Sequence, residues 1–333
     1  AMTSPRSSAR PSPSPSDGPH TWVVTDGAAG IENQCYGLAR RLGLEPVIKR
    51  IAIRQPWLSL PPALWIWPLH ALSGDGDSLT PPWPDLLIAS GRKSVAPAAA
   101  IGKLSGGRTL TVQIQKPGVD PRRFDLVVAP RHDDLAGDNV IETSGSIHGL
   151  TRDLLDREAE HWADRVQHLP GPMTFAALGG PNRVYRFGES EAAALGRKLA
   201  GLPGGLLVTI SRRTTQAAAD ALKAELDPSR CLFWDGSGDN PYRAWLGLAD
   251  AVVVTSDSVN MATEACITGR PVYVAHLDGG SAKFRAFHAL LERAGHTRRF
   301  DGVIDTDTRV LILDDAGRVA ERVSALLKKN LLS

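Results

Sequence analysis

Residues able to hold an anion gather at three places in this sequence, each where a short apolar run gives way to a helix-like stretch. The first is Leu178-Gly179-Gly180-Pro181-Asn182. Glycines let a backbone approach a phosphate, and a helix start offers free N–H groups. The same pattern also makes an ordinary strand-to-helix turn. The second is Thr209-Ile210-Ser211-Arg212-Arg213-Thr214-Thr215, where hydroxyls and a pair of arginines follow a strand. Arginine pairs bidentately with phosphate; the alternative is a Thr214 helix cap beside solvated arginines. The third runs through Thr255, Ser256, Asp257, Ser258, Asn260, Met261 and Glu264, with Gly269-Arg270-Pro271 beyond it. Glu264 is placed to accept hydrogen bonds from a ribose diol. In the plainer reading, Asp257 and Glu264 only complement the positive end of a helix.

The amino half offers a base and a second cationic loop. Asp26, with Gly27 behind it, ends the first apolar run, and Glu32 follows. Either carboxylate is a candidate to deprotonate a hydroxyl, or Asp26 orients the glycine turn while Glu32 caps a helix. Ser90-Gly91-Arg92-Lys93-Ser94 lacks the P-loop spacing, yet its basic pair suits an anionic acceptor or a diphosphate. His132 and His148 are candidate acid–base groups or loop histidines. His276, Asp278 and Lys283 follow the last apolar strand, at a carboxyl end where ligand contacts are expected. No cluster has metal-ligand spacing, so no metal site is expected from spacing.

These loops need rigid elements behind them. The chain of 333 residues suits two domains. Apolar runs alternate with helical patterns, the mark of βαβ units and parallel sheets. The expectation is an α/β protein of two doubly wound, Rossmann-like domains facing a cleft. Residues 1–20, rich in Pro, Ser and Arg, read as a disordered leader. Residues 21–168 read as the amino-terminal domain, 173–310 as the carboxyl-terminal domain and 311–333 as a closing helix, with a break at Leu169-Pro170-Gly171-Pro172. Ligands of such sheets sit beyond the carboxyl ends of the strands. A net charge of +2 argues against a nucleic-acid binder. The three cysteines, Cys35, Cys231 and Cys266, are far apart, which excludes a zinc ribbon and points to a reducing compartment. No apolar signal segment is visible. The longest uncharged run, 55–74, is broken by prolines and reads as unable to span a bilayer. The expected location is cytoplasmic, with a peripheral position on the inner face of the membrane left open.

Four of the eight tryptophans, Trp57, Trp65, Trp67 and Trp83, fall in one stretch. Tryptophan favours membrane interfaces, so segment 56–72 reads either as a membrane-contact patch or as buried packing.

The third anion loop together with Gly269-Arg270-Pro271 resembles the carboxyl-domain signature of GT-B glycosyltransferases. Over residues 21–305 the chain more closely resembles the mitochondrial-fission "elongated mitochondria" family, in its bacterial branch. The matching segments are Thr25-Asp26-Gly27, Gly30, Glu32-Asn33-Gln34, the 90–94 loop, Phe124 to Asp133, Leu178-Gly179-Gly180, Ser211 to Thr214 and Ser256-Asp257-Ser258. The chain departs at Ala28-Ala29, where the family tends to carry a bulkier residue and proline. The resemblance implies a GT-B-like fold and transfer, without metal or cofactor, of a sugar from a UDP-type nucleotide-diphosphate sugar to an acceptor, with a lipid-linked acceptor left open. Gly179, Gly180, Asn182, Ser211, Arg212, Arg213, Thr214, Ser256, Asp257, Ser258, Met261 and Glu264 would bind the donor. Gly27, Ser90, Arg92 and Lys93 would face the acceptor. A non-catalytic adaptor at a membrane surface and a nucleotide-sugar epimerase or hydrolase stay open.

Overall fold

The computed structural model describes residues 18–308 and 310–332. The expected leader falls almost wholly outside the described residues. Short, nearly all-apolar runs of about five residues cannot bury one face only, so they pack into parallel sheets covered on both sides. The amino-terminal sheet contains β1 (Thr21–Thr25), β2 (Val47–Arg50), β3 (Leu86–Ser90), β4 (Leu110–Ile114), β5 (Leu126–Pro130) and β6 (Val140–Thr143). Their spatial order is β2-β1-β3-β4-β5-β6, and every pairing is parallel. The helices α1 (Ala29–Arg41) and α2 (Arg92–Leu104) follow β1 and β3.

The helix α3 (Arg152–Val166) leads into the second sheet, capped by Thr151, whose Oγ1 accepts from Leu154 N. That sheet is built from β7 (Met173–Leu178), β9 (Gly205–Ile210), β10 (Cys231–Trp234), β11 (Ala251–Thr255), β12 (Val272–Ala275) and β14 (Arg298–Arg299). The order is β10-β9-β7-β11-β12-β14, again all parallel. Counted within the sheet this is 3-2-1-4-5-6, the Rossmann order. β8 (Tyr185–Arg186) and β13 (Asp278–Gly279) form a small antiparallel ribbon. The helices α4 (Glu189–Ala200), α5 (Gln216–Ala224), α6 (Tyr242–Leu248), α7 (Val259–Ala265) and α8 (Ala282–Arg293) complete this half, and α9 (Asp315–Leu332) follows it.

The two halves exchange helices. Leu155 and Val166 of α3 bury among Phe175, Trp245 and Val252 of the carboxyl-terminal core. Val319, Val323 and Leu327 of α9 bury with Val23 and Leu38 of the amino-terminal core. The sequence reading put α3 before the boundary, but α3 packs on the half that follows it. A polar helix with a sparse apolar stripe does not declare which sheet receives that stripe. The crossings are pinned by the Arg41–Asp314 ion pair and by Asp315 Oδ2, which accepts from Ser144 N and Gly145 N at 2.7 and 3.0 Å.

Segment 56–72 divides. Trp65 is 6% exposed and part of the core, its Nε1 donating to Leu60 O at 3.0 Å. Leu64, Ile66 and Trp67 stand out at 61, 67 and 72% exposure. Among the described residues, no helix is long and apolar enough to cross a membrane.

Candidate functional site

In each sheet the chain reverses direction across one strand pair, β1/β3 and β7/β11, and the candidate loops stand at these carboxyl ends. At the amino-terminal switch point, Asp26 Oδ1 accepts from Ala28 N at 3.2 Å and Oδ2 lies 3.2 Å from Lys93 Nζ. Gly27 takes a φ of +83°, open to glycine at little cost. Glu32 is held by Arg50 through two 2.8 Å hydrogen bonds, which keep its carboxyl below the usual range. A carboxylate stabilised as the anion is a poor base. Arg92 donates to the carbonyls of Leu58 and Leu60 at 3.0 and 2.7 Å, so it staples the tryptophan segment. The expected Arg92–Lys93 anion pair is therefore drawn into contacts within the chain. Ser90 is buried, and its Oγ has no partner among the described residues.

In the carboxyl-terminal half the motif residues build one another. Asp257 is fully buried, and its Oδ2 accepts from Gly180 N at 3.1 Å and from Arg213 Nη2 at 2.5 Å. Gly179 N donates to Thr255 Oγ1, and Thr214 Oγ1 donates to Gly179 O, both at 2.7 Å. A Cβ on Gly179 would lie 2.0 Å from Asp257 Oδ2, and one on Gly180 would lie 2.8 Å from the Arg213 backbone. Both glycines are thus required by the chain's own packing. Ser211 Oγ accepts from Arg213 N at 3.2 Å, and Ser256 Oγ from Leu277 N at 3.0 Å. Ser258 caps α7 through Met261 N, and Met261 packs half-buried against the core. Asn182 Oδ1 accepts from Val184 N and Tyr185 N, closing a turn. Helix α5 is capped by Thr215 rather than the expected Thr214. Arg212 remains exposed.

Between the halves lie two chambers. The larger, of about 810 Å³, is walled by Gln34, Arg157, Asn240, Arg243, Asn260 and Glu264. Glu264 accepts from Tyr242 Oη at 2.7 Å, and burial pushes its carboxyl up. The neighbour, of about 420 Å³, shares Gln34 and Asn260 and adds Lys116, His132, Asp133 and Lys283. His132 is held below the usual imidazole range by burial and by Lys283. Lys283 therefore faces the cleft, whereas His276 and Asp278 line a separate pocket of about 180 Å³ beside α4. His148 is buried at the crossing, where desolvation lowers its pKa to about 4. No group of carboxylate, histidine and cysteine side chains among the described residues could hold a metal ion. The sequence reading passed over Arg157, Asn240, Tyr242 and Arg243, because none belongs to a glycine- or hydroxyl-rich loop. Lys116, directly after an apolar strand, carried the one positional signal.

Two Rossmann-like sheets facing a cleft, with helices crossed between them, define the GT-B architecture. The UDP-GlcNAc 2-epimerase of Methanocaldococcus jannaschii superposes with a TM-score of 0.51 over 93% of this chain and 99% of that one, at 11% identity. MurG of Acinetobacter baumannii aligns over 94% and 93% of the two chains, with a TM-score of 0.48 and 14% identity. The chain belongs to the mitochondrial fission ELM1 family, whose model matches residues 29–327. It is 32% identical over 249 residues to the mitochondrial fission protein ELM1 of Arabidopsis thaliana, covering 67% of this chain and 58% of that relative. It is also 25% identical over 360 residues to the protein RP120 of Rickettsia prowazekii, which covers 93% and 99% of the two chains.

Proposed function

We propose that the larger chamber binds a UDP-type nucleotide-diphosphate sugar and that the protein transfers the sugar to an acceptor. The observation carrying this reading is Glu264, a hydrogen-bonded carboxyl facing a cleft with Arg157, Arg243 and two asparagine amides. A carboxylate accepts both hydroxyls of a ribose diol, and arginines match phosphate. In the transfer step, an acceptor oxygen bonds to the anomeric carbon as the bond from that carbon to the phosphate oxygen breaks. The acceptor proton passes to a carboxylate, with Asp26, paired to one lysine, preferred to Glu32, which two Arg50 hydrogen bonds hold as the anion. The electron pair leaves with the nucleoside diphosphate, whose charge the chamber arginines stabilise. Thermal unfolding of the full chain should shift upward with UDP or a UDP-sugar, since a ligand of the native state stabilises it. Absence of any shift with nucleoside diphosphates contradicts the reading.

A second reading, an adaptor docked on a membrane, is carried by the exposed Leu64, Ile66 and Trp67. An apolar aromatic tip suits the interface of a bilayer. In flotation with anionic phospholipid vesicles the full chain should rise with the lipid, and an Ile66→Ser, Trp67→Ser variant should not. Trp65 is left untouched because it is core.

A further inference from the structure

The smaller chamber is chemically unlike the larger. Its charged wall residues are Lys116, Lys283 and Asp133, a surplus of one positive charge. Lys116 Nζ donates to Asp133 O at 2.9 Å, a carbonyl that leaves its charge uncompensated. Lys283 Nζ lies 3.9 Å from Asp133 Oδ1, the long end of an ion pair. The two ammonium groups come from opposite halves, Lys116 beyond β4 and Lys283 in α8. Gln115, beside Lys116, takes a φ of +72°, a strained conformation for a residue with a Cβ. Ser146, another wall residue, is 8% exposed and keeps its Oγ without a partner among the described residues.

We propose that this chamber binds an oxyanion, a phosphate or carboxylate, carried by the acceptor, with Lys116 and Lys283 as its ligands. The Asp133 carboxylate, 3.9 Å from Lys283 Nζ, is a resident counter-ion that the ligand displaces from that lysine. The assignment to the acceptor rests on the transfer reading; the oxyanion site itself does not. A neutral imidazole at His132 adds a hydrogen-bonding wall without adding charge. Because Lys116 and Lys283 belong to opposite halves and line one chamber, a ligand held by both bridges the two halves.

The test is calorimetric titration of the full chain with sn-glycerol 3-phosphate, with glycerol as control, in the presence and absence of saturating UDP. Glycerol 3-phosphate should bind and glycerol should not. Lys116→Ala and Lys283→Ala should each weaken binding roughly tenfold, the loss of one charge-assisted contact. Asp133→Asn should tighten it, because the competing carboxylate is gone. A purely structural Asp133 would move all three variants in the same direction, together with thermal stability. Lys283→Arg, which keeps the charge, should retain binding if the fold of an alanine variant fails. Binding that ignores the lysines, or Asp133→Asn weakening it, overturns the proposal. If UDP-glucuronate binds more tightly than UDP-glucose through Lys283 while glycerol 3-phosphate fails, the oxyanion belongs to the donor sugar and the acceptor assignment falls. If glycerol 3-phosphate binds through the lysines but UDP binds nowhere, the transfer reading fails and the oxyanion site stands.

Discussion

Asp257 and Arg213 are unequal partners. The aspartate is fully buried and the arginine is half exposed. Arg213→Ala therefore strands a buried carboxylate and is expected to cost about 3 kcal/mol, within the range for breaking buried pairs. Asp257→Asn leaves an arginine that can turn to water and should cost about 1 kcal/mol. Denaturant unfolding at neutral pH checks the order, and equal costs would contradict it. The same asymmetry shows what sequence could and could not display. Gly179, Gly180, Arg213 and Asp257 are legible in three separate loops, the glycines for close backbone approach, the arginine for an anion and the aspartate for a helix start. That the close approach is to the chain itself depends on the meeting of β7, β9 and β11, which no local pattern encodes. His148 makes a second test. Its native pKa of about 4 lies below the unfolded value of about 6.5. The unfolded chain binds the proton more tightly, so this group's contribution is present above about pH 6.5 and lost as pH falls towards 4. Wild type should lose roughly 3 kcal/mol more than His148→Gln across that window. Parallel pH profiles for the two proteins would contradict this.

At the scale of elements, the exchange of α3 and α9 makes each half depend on a helix from beyond its own sheet. Leu155→Ala removes a buried side chain from the carboxyl-terminal core and should cost about 2–5 kcal/mol. Its effect on hydrogen exchange should appear in α6, β7 and β11. Val319→Ala in α9 should instead loosen α1, β1 and β4. Loosening of β5 and β6 by Leu155→Ala, or of β12 and β14 by Val319→Ala, would contradict the exchanged packing. The long apolar strands and most helices were readable from periodicity, since a strand buried on both faces is a near-continuous apolar run. The edge strand β6 was missed because it is half-exposed and carries Glu142. The two-residue strands β8, β13 and β14 have no sequence period at all. The short helical turns between β2 and β3 are held by non-local contacts such as Arg92 to Leu58 and Leu60, which composition alone does not announce.

At the scale of the molecule, two sheets with aligned carboxyl ends leave a divided cleft, the larger chamber rich in arginine and amide, the smaller in lysine. The facing halves followed from sequence, because a doubled βαβ alternation leaves the space between two switch points as the natural ligand site. The division of that space did not, since Gln34 and Asn260, which line both chambers, have 225 residues between them in the chain. The exposed Leu64–Ile66–Trp67 tip belongs to this scale as well, because an apolar patch on one half sets how the whole molecule would stand on a surface. The transfer reading requires a ribonucleoside diphosphate in the larger chamber with its ribose on Glu264. The most direct measurement is calorimetric titration of wild type and Glu264→Gln with UDP and with 2′-deoxy-UDP. Wild type should bind UDP more tightly than the deoxy form, and the variant should lose roughly tenfold for UDP with little change for deoxy-UDP. Undetectable UDP binding by wild type, or equal weakening of both nucleotides in the variant, would contradict the claim.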